Sequence, residues 1–585
     1  MPLFAKLCYS PAARLCVGML GLFLLLLPLV SCSTPTTDPL QLTPIDPGLP
    51  ADAMKSPVVG QLPGNTMLQL RVTFKLNPNL LKQAQQQKIQ GGQSSHLEQF
   101  AQKLGVDDAT YQKIKNFFNL GGIELNLSKL RTHLAINAKA STLAKVLQTQ
   151  FVVHQYNDRT FYAPDSAKPP KVPQFLANSI DAITGLDNFS LPPTHDLAFH
   201  FNSTTARQHP AQDCSPQDQT LLPKEVAHAY GFDQLWNRGL HGENMTVNLI
   251  EIDGVQKSDV QNYFSCINFQ GHLTPINVDG HPQQTLGEST LDIQMVAGLA
   301  RSSNIKVYQT DANSGDNDIW VHVNDELQQL LNDNVNNANG GNVVSISLGA
   351  AEGETSSSDM RAINSSIQQL VQVEHMMVFV ASGDCGAFTS RVYNKLAVSF
   401  PASDPWAVSV GGTMMRIDQG ANRANEVVWS DGSNQSSCKN RWGSGGGNST
   451  VFQRPNWQNA PGVQNRYARN ARQLPDVSGV AYALAVYYQG QWGAVGGTSA
   501  AAPIWATGMA LINQGLLQET HRFNSDASPA IFYQVANRSA GGRPYYDVTS
   551  GNNLYFPATP GWDYASGLGT PNLNDFYQAV RSNLG

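Results

Sequence analysis

The sequence predicts an α/β protein in which a large domain, built on a doubly wound parallel sheet, follows a small α+β domain with an antiparallel sheet. At 585 residues the chain is too long for one ordinary domain. In its C-terminal part, short apolar runs typical of buried strands alternate with helical stretches, as in parallel sheets covered on both faces. In its N-terminal part, alternating apolar residues and a hairpin pattern indicate an antiparallel sheet.

The N-terminus has the pattern of an export signal. Lys6 and Arg14 precede an apolar run over residues 17–30, which is short for a membrane span. The run ends at Cys32 in a Leu-Val-Ser-Cys segment that resembles the lipidation box of bacterial lipoproteins. We therefore expect residues 1–32 to be a signal peptide with this box, and the exported protein to be extracellular or held at the cell surface by a lipid on Cys32. An ordinary signal peptide with an incidental cysteine is the alternative.

The composition limits the kinds of binding partner and indicates the pH of the environment. The net charge is only -6 and the basic residues are scattered, so we expect no nucleic acid partner. Charged residues make up 14% of the chain, against about 25% in an average soluble protein. A surface poor in carboxylates loses less when acid protonates them, which favours an acidic environment.

The cysteines outside the signal are even in number and form no metal-type Cys-x-x-Cys pair. They predict two disulfides in an oxidising compartment. Their order along the chain suggests that Cys214 pairs with Cys266 and Cys385 with Cys438, although four cysteines allow three pairings.

The N-terminal third of the chain predicts a linker, a small domain and a connector. Residues 33–64 carry seven prolines and almost no periodic apolar pattern, which predicts an extended linker. The small domain is expected over residues 65–190, and polar residues 191–220 form a connector of the kind that proteases cut. The expected elements of the small domain are a strand at 68–76, helices at 96–104 and 108–119, strands at 123–127 and 132–136, a helix at 141–149, a hairpin at 151–156 and 159–162, and a proline-bounded helix within 168–187.

The large domain is expected over residues 221–585. In a doubly wound sheet, functional sites gather at the carboxyl ends of the strands. The buried strands are predicted at 247–252, 305–309, 343–348, 376–381 and 407–410.

Ser499 lies in a Gly-Thr-Ser-Ala turn that leads into an apolar run. This segment resembles the nucleophile segment of subtilisin-like serine peptidases. Such enzymes use a histidine base in a His-Gly-Thr-His type of segment, and none of the 13 histidines of this chain has that context. A group other than imidazole must therefore activate Ser499.

Glu288 and Asp292 are one turn apart at the start of an otherwise apolar, nearly uncharged helix. The helix dipole steadies negative charge at this end. Two carboxylates so close repel each other, so they tend to share one proton and to titrate as a pair. Such a pair can accept a proton from Ser499 in acid, where an imidazole with a pKa near 6.5 is already charged.

Asp384 follows a predicted buried strand in a Ser-Gly-Asp-Cys-Gly turn, which places it at a strand end. Acyl transfer needs hydrogen-bond donors for the developing oxyanion, and a protonated carboxyl can donate where a carboxylate would repel. The backbone N–H of Ser499, at a helix start, is the expected second donor.

In the order Glu, Asp, Asp, Ser, these residues resemble the sedolisin (serine-carboxyl) peptidase family, in particular its kumamolisin-like members. The resemblance extends from about residue 61 to the C-terminus, and residues 68–187 look like the activation prodomain of the family. Further matching segments are Val344-Ser345-Ile346-Ser347, Phe400-Pro401-Ala402-Ser403, Val410-Gly411-Gly412-Thr413, Gly445-Gly446-Gly447-Asn448-Ser449, Phe452-Gln453-Arg454-Pro455 and Leu474-Pro475-Asp476-Val477.

This resemblance implies a role for each residue of the set. Ser499 would be the nucleophile, Glu288 the general base and acid, Asp292 its orienting partner and Asp384 the oxyanion donor. The large domain would have a subtilisin-like fold and hydrolyse proteins or peptides at acidic pH through an acyl-enzyme. The small domain would aid folding and inhibit the enzyme until self-processing removes it. We expect a monomeric endopeptidase, although the residues do not separate endopeptidase action from the release of tripeptides.

The resemblance also implies one structural calcium ion near the C-terminus. A hard cation takes about six oxygen ligands from carboxylates, carbonyls and water. The implied ligands are the side chains of Asp547 and Asp563 and the carbonyls of Val548, Thr559 and Gly561. Thr559 stands where the family usually has glycine, which a carbonyl ligand should tolerate.

Two positions depart from the family pattern. Leu348 replaces a common tryptophan, which puts in doubt an outer relay from the catalytic glutamate through that side chain to Glu251. Gln294 is neutral where kumamolisin-like members carry an acid. The glycine-rich run 443–447 is not a phosphate loop, since no Gly-Lys-Ser/Thr follows it, and we interpret it as a wall of the substrate cleft.

Two other functions are alternatives to an acid-active peptidase. A conventional subtilisin with a displaced histidine would have a neutral or alkaline optimum. A surface-displayed lipoprotein could keep the fold only for binding, without catalysis.

Overall fold

The computed structural model describes residues 41–86, 94–190, 220–311, 319–335, 342–390, 395–520, 527–538 and 542–584. The predicted signal with Cys32 and nearly all of the connector, including Cys214, lie outside these residues. No helix in the part of the chain that is described is long and apolar enough to cross a membrane.

The small domain consists of residues 41–190 and contains the antiparallel sheet expected from the sequence. Four strands form a sheet in the order β4-β5-β3-β9, and three more form a second sheet in the order β2-β6-β7. Its elements are β1 Leu42–Pro44, α1 Ala51–Met54, β2 Val58–Gln61, β3 Met67–Phe74, α2 Pro78–Gln86, α3 Ser94–Leu104, α4 Asp108–Phe117, β4 Glu124–Leu127, β5 His133–Lys139, α5 Ala140–Val146, β6 Phe151–Tyr156, β7 Arg159–Pro164, β8 Lys171–Pro173, α6 Gln174–Ser179 and β9 Ile180–Thr184.

Two expectations for this domain are wrong. The linker prediction fails for residues 41–64, because β1 pairs with β8 and β2 pairs with β6, so these residues belong to the domain. Prolines are tolerated in edge strands and just before helices, so a proline-rich composition does not exclude order. The helix predicted within 168–187 is limited to α6, and β9 then adds an edge strand to the main sheet.

The large domain is built on an eight-stranded sheet, as the alternation of strands and helices predicted. All five predicted strands lie in it as β10, β12, β13, β15 and β17, and each pairing among them is parallel. Antiparallel β18 closes one edge, while β21 also pairs with β17. The strands of the large domain are β10 Thr246–Glu251, β11 His272–Asn277, β12 Asn304–Gln309, β13 Val343–Ile346, β14 Ala350–Ala351, β15 Met377–Ala381, β16 Ser399–Phe400, β17 Ala407–Ile417, β18 Arg423–Val428, β19 Gly447–Asn448, β20 Gln473–Leu474, β21 Val477–Val480, β22 Leu484–Tyr488, β23 Gln491–Val495, β24 Tyr545–Tyr546 and β25 Thr570–Pro571.

Two helices of this domain are mostly apolar on all sides and, apart from the C-terminal end of the second, lie in the core. The first, α10, has all of its residues buried, and it packs against α13. A helix without a polar face can only be stable when it is covered all round. The helices of the large domain are α7 Pro223–Tyr230, α8 Phe232–Trp236, α9 Lys257–Ile267, α10 Glu288–Leu299, α11 Ile319–Asn334, α12 Ser357–Gln372, α13 Thr498–Thr520, α14 Ala530–Arg538 and α15 Leu573–Leu584.

The predicted disulfide between Cys385 and Cys438 is present, with a Cα–Cα distance of 5.3 Å. Cys266 is also disulfide-bonded, and its partner is outside the described residues. The pairing of Cys266 with Cys214 therefore stays a prediction.

The main sheet of the small domain packs against α11 and α12 of the large domain. One face of β3, with Leu68, Leu70 and Val72, fills the core of the small domain. From the other face, the Arg71 guanidinium donates from Nε to both carboxylate oxygens of Asp325 on α11, at 2.8 and 2.7 Å. The opposite face of the sheet is thus the contact surface between the two domains.

Two histidines extend this polar contact. His133 Nε2 on β5 lies 3.5 Å from the Asp325 carboxylate, and His322 Nδ1 on α11 lies 3.1 Å from that of Asp279. The Asp279 carboxylate is in turn 3.9 Å from the Arg71 guanidinium. A largely buried polar cluster therefore joins the two domains.

Both ends of the small domain also contact the start of α12. The carbonyl of Gly48 accepts hydrogen bonds from Ser357 N and Oγ, each at 3.0 Å, and that of Pro47 accepts one from Ser358 Oγ at 2.7 Å. At the other end, the Ser190 hydroxyl accepts from Ser356 N at 2.8 Å. Gly48 has φ +85°, and a Cβ there would meet Ser358 Oγ at 2.3 Å, so this contact requires glycine.

We expect Arg71→Ala to weaken the contact between the domains by about 3–5 kcal/mol, because it leaves the Asp325 carboxylate buried without its cation. Arg71 holds the pKa of Asp325 well below its usual range, although burial opposes the shift. Such a depressed pKa stabilises the fold above the unfolded-state pKa of about 3.9 and loses this effect as the pH falls below it. Urea unfolding should show that Arg71→Ala lowers the free energy of unfolding more at pH 7 than at pH 3.

The matched control is Lys75→Ala, which removes an exposed hydrogen bond to the Asn178 carbonyl at 3.0 Å in the same domain. Both variants are measured in a Ser499→Ala chain, so that no self-processing can interfere. An Arg71→Ala protein as stable as the Lys75→Ala protein would contradict the importance of the buried pair.

Candidate active site

Ser499 is the second residue of α13, at the edge of the sheet where the parallel strands end. Its side chain is nearly buried, with 7% exposure. Ser499 Oγ donates to the carbonyl of Ser347, which directly follows β13, at 3.3 Å. Among the described residues, the Ser499 hydroxyl thus donates to a carbonyl and not to a histidine.

Glu288 and Asp292 lie on α10, and both are buried rather than on a solvated helix face. Ser347 Oγ donates to Asp292 Oδ2 at 2.6 Å. Ser347 therefore contacts the hydroxyl of Ser499 through its backbone carbonyl and the carboxyl of Asp292 through its side chain. The structure brings the predicted nucleophile and Asp292 together around this one residue, with Glu288 one turn away on the same helix.

The acidic residues of this region shift one another's pKa. Burial raises the pKa of Asp292 well above its usual value, and the Glu288 charge adds to the increase, while a hydrogen bond from Ser347 opposes it. Burial also raises the pKa of Glu251 at the end of β10, with further increases from Asp292 and Asp253. Each of these two carboxyls contributes to the pKa shift of the other, so we expect them to titrate as a pair.

The coupling of Glu251 to Asp292 bears on the relay put in doubt by Leu348. Leu348 is buried and supplies no hydrogen-bonding group. Glu251 is close enough to the acid pair for the Asp292 charge to raise its pKa, without an intervening tryptophan. The cluster of Glu251, Glu288 and Asp292 is called the carboxyl cluster below.

Asp384 lies in the turn after β15, next to the helix that carries Ser499. Asp384 Oδ1 accepts two hydrogen bonds of 2.7 Å, from the backbone N–H and from the hydroxyl of Thr498. Its carbonyl accepts from Gly443 N at 3.0 Å, and the disulfide of Cys385 begins at the next residue. The Asp384 turn is therefore held directly against the residue that precedes Ser499.

The glycine-rich run packs on the same turn. Gly445 N donates to the carbonyl of Gly383 at 2.7 Å, and Ser382 Oγ donates to the carbonyl of Gly445 at 2.9 Å. A Cβ at Gly445 would lie 2.0 Å from the Ser382 carbonyl oxygen, so the approach requires glycine. That the glycine-rich run 443–447 forms a wall of the substrate cleft stays a prediction.

Gln294 connects the acid-bearing helix to the hairpin before Ser499. Its amide donates to the carbonyl of Tyr487 at 2.7 Å and accepts from the N–H of Tyr487 at 2.8 Å, and it is fully buried. A neutral amide satisfies both backbone groups, which a carboxylate cannot do.

The predicted calcium ligands also lie close together. Asp563 accepts from Thr559 N at 2.7 Å, while Asp547 accepts from Gly561 N at 2.9 Å and the Val548 carbonyl accepts from Ser566 Oγ at 3.2 Å. Burial raises the pKa of Asp563 to about 6, despite its backbone hydrogen bonds. Neither acid has an ion-pair partner among the described residues.

The donor set fits a hard cation. Three or more His, Cys, Asp or Glu side chains do not gather as a metal site anywhere in the described part of the chain. The predicted ligands instead combine two carboxylates with backbone carbonyls, all of them oxygen. A cation beside Asp563 would offset the cost of burying its charge.

Some residues of the site had no signal as single positions in the sequence. Ser347 was part of a recognised motif, but its contacts with Asp292 and Ser499 depend on the order of the strands. Asp253 accepts hydrogen bonds from the start of α10, although more than thirty residues separate them along the chain. Thr498, the partner of Asp384, is marked only by preceding Ser499.

Comparisons with known proteins agree with this arrangement. Residues 55–189 match the activation domain of Pro-kumamolisin, and residues 278–555 match the subtilase family. The chain is 29% identical to kumamolisin from Bacillus sp. strain MN-32, over 81% of this chain and 84% of that protein. It is 26% identical to sedolisin from Pseudomonas sp. strain 101, over 83% and 81%.

More distant relatives and a solved structure point the same way. Human tripeptidyl-peptidase 1 is 26% identical, over 70% of this chain and 71% of that protein. The structure of Pseudomonas sedolisin, complexed with two molecules of pseudo-iodotyrostatin, aligns with a TM-score of 0.53 at 26% identity, over 63% of this chain and all of that chain.

The fold and these matches define a subtilase-type serine peptidase that is made with an activation prodomain. More narrowly, the chain belongs to the sedolisin family. The small domain is its prodomain.

We expect Gln294→Glu to be stable in acid and destabilised at neutral pH. A buried carboxyl must stay protonated to donate to the Tyr487 carbonyl, and burial raises its pKa. A raised pKa stabilises the fold below the unfolded value and loses this effect as the pH rises through the folded one. Thermal unfolding in the Ser499→Ala chain should show a loss of about 1–3 kcal/mol at pH 7 and little loss at pH 4.

The control is Gln294→Ala, which removes both hydrogen bonds and should destabilise equally at both pH values. If Gln294→Glu were equally destabilised at pH 4 and pH 7, the contact with Tyr487 would not control the effect.

Proposed function

We propose that the protein is an acid-active serine-carboxyl peptidase that hydrolyses peptide bonds through an acyl-enzyme on Ser499. The observation that supports this most is the double contact of Ser347 with the Ser499 hydroxyl and the Asp292 carboxyl. It joins a helix-start serine to buried carboxyls, with no described histidine as its partner.

In the first step, Ser499 Oγ attacks the carbonyl carbon of the substrate while Glu288 accepts the hydroxyl proton. The carbonyl electron pair moves to oxygen, where the Asp384 carboxyl and the Ser499 N–H donate to the oxyanion. Collapse of this intermediate breaks the C–N bond, and Glu288 returns the proton to the leaving amine. Water then attacks the acyl-enzyme by the same steps and releases the new carboxylic acid.

Asp384 is suited to this role because Thr498 donates twice to its Oδ1. These bonds mark Oδ1 as an acceptor, so the proton of a neutral carboxyl resides on Oδ2. A donor to the oxyanion is available only while that proton is held, which selects acid conditions.

The carboxyl cluster supports the same pH range. Because burial and mutual repulsion raise the pKa of Asp292 and of Glu251, a proton stays in the cluster in acid and stabilises charge on Glu288. Loss of that proton at higher pH would place several negative charges together, so activity should fall as the pH rises.

The proposal also includes export, membrane anchoring, activation and calcium binding. The chain would be exported, anchored through Cys32 at the cell surface and activated in acid by a cut within residues 191–220. One calcium ion would be held by Asp547, Asp563 and the carbonyls of Val548, Thr559 and Gly561. When bound, it would stabilise the C-terminal loop electrostatically and take no part in the reaction.

We expect the full-length chain to shorten by its prodomain at about pH 4 and to hydrolyse casein, whereas Ser499→Ala should do neither. Glu288→Gln keeps the side-chain shape without a base and should lower the rate about 10²–10⁴-fold. Glu124→Gln, at an exposed carboxyl of the prodomain, is the matched control. Mass spectrometry follows the processing.

The outcomes separate the competing functions. Full activity of Glu288→Gln with loss of activity in a histidine variant and a neutral optimum would favour a conventional subtilisin. An unprocessed wild type that leaves casein intact would favour a binding lipoprotein. Cleavage of casein within its chain indicates an endopeptidase, whereas release of tripeptides alone would overturn that part of the proposal.

We expect added Ca²⁺ to raise the melting temperature and a chelator to lower it. At a calcium concentration a hundredfold above Kd, binding should add about 2.7 kcal/mol to the free energy of unfolding. Asp563→Asn should lose this response. Because protons compete for Asp563, whose pKa is raised to about 6 by burial, the calcium effect should be larger at pH 7 than at pH 4. Identical melting curves with calcium and with chelator would contradict the site.

A further inference from the structure

Asp253 binds the first turn of the helix that carries Glu288 and Asp292. Its carboxylate accepts hydrogen bonds from the N–H groups of Leu286 at 2.8 Å, Gly287 at 2.9 Å and Ser289 at 3.1 Å. The hydroxyl of Ser289 also donates to this carboxylate, and to the Asp253 carbonyl at 2.9 Å. Asp253 is buried, and it follows β10 closely.

These contacts replace the usual cap of a helix. The first N–H groups of a helix have no partner within the helix, and a side chain at the N-cap position normally accepts from one of them. The N-cap residue of α10 is Gly287, with φ +104° and no side chain. Asp253 supplies the missing acceptor from the end of a neighbouring strand.

The position of Glu288 follows from this arrangement. Gly287 and Ser289 flank Glu288, and each donates its backbone N–H to the same carboxylate. The backbone of Glu288 is therefore fixed on both sides to the end of β10. A displaced helix start would move the proposed base relative to Ser499.

Asp253 also contributes charge to the site. It accepts all four of these hydrogen bonds, which is the role of an ionised carboxylate. Its charge adds to the causes that raise the pKa of Glu251 and of Asp292, of which burial is the largest. The other titratable groups near Asp253 are Glu288, Tyr488, whose hydroxyl donates to the Thr285 carbonyl, and Asp259, which acts on the same tyrosine.

We propose that Asp253 is a positioning residue that fixes Glu288 through the start of α10 and whose charge sets the pH range in which the carboxyl cluster works. This inference rests on the proposed function of Glu288. Its two parts predict different results for two substitutions at the same position.

Asp253→Asn removes the charge and keeps one acceptor oxygen, and with it the hydrogen bonds that one of the two carboxylate oxygens accepts. The self-processing rate of the full-length chain, measured from about pH 2 to pH 7, should peak about one pH unit lower than in the wild type, because the acids lose a repelling neighbour. Asp253→Ala removes the cap as well and should lower kcat on casein about 10–100-fold with little change in KM.

Asp259→Asn is the matched control. Asp259 is also buried and also caps backbone, accepting from Gln489 N at 2.6 Å and Gly490 N at 3.0 Å in the turn after β22. A merely structural effect would appear in both asparagine variants as a lower rate at every pH. The proposal therefore requires that only Asp253→Asn moves the pH profile.

Hydrogen exchange in the Ser499→Ala chain tests the cap without any activity. The amides of Leu286, Gly287 and Ser289 should exchange faster in Asp253→Ala than in Asp259→Ala. Unchanged exchange, or an Asp253→Asn profile that superimposes on the wild type, would overturn the proposal. An inactive wild type with faster exchange in Asp253→Ala would instead contradict the function proposed for Glu288 and leave the cap supported.

Discussion

The candidate active site depends on the packing of two mostly apolar helices. Because α10 and α13 are mostly apolar on all sides, they are stable only when packed in the core, against each other and the central sheet. Their N-terminal ends lie at the same edge of that sheet, with Glu288 on one helix and Ser499 on the other. Polar residues within such helices need partners, so each of them marks a contact: Asp292 with Ser347, and Gln294 with Tyr487.

Burial also determines the chemistry. A carboxyl in water is a poor base at neutral pH and is charged through most of the physiological range. In this core, the loss of water and the neighbouring acids raise the pKa of Asp292 and Glu251, so these carboxyls can retain a proton at a higher pH than they would in water. The Asp384 turn is held by the disulfide and by Thr498, which keeps its carboxyl beside the nucleophile. One sheet edge thus holds the proposed base, the proposed oxyanion donor and the proposed nucleophile.

Local patterns predicted the strands well, because each buried strand has its own apolar run. The family resemblance joined Glu288, Asp292, Asp384 and Ser499 into one predicted site. Contacts between distant segments had no such signal. The alternation in β3 indicated one buried face, but Arg71 on the other face is buried only because α11 packs there. Prolines made residues 33–64 resemble a linker, although β1 and β2 pair with strands about a hundred residues away. Asp253 carries no motif, since its function depends on where β10 ends relative to α10.

The contacts of the prodomain at both of its ends have a consequence for activation. Pro47 and Gly48 bind the first turn of α12 before any connector residue, and Ser190 binds the same turn just before the connector begins. Together with the Arg71–Asp325 pair, these bonds all lie outside the segment in which maturation would occur. Cutting the connector would therefore turn one chain into a two-chain complex rather than free enzyme. Departure of the prodomain is a separate dissociation step, with its own rate and its own dependence on dilution.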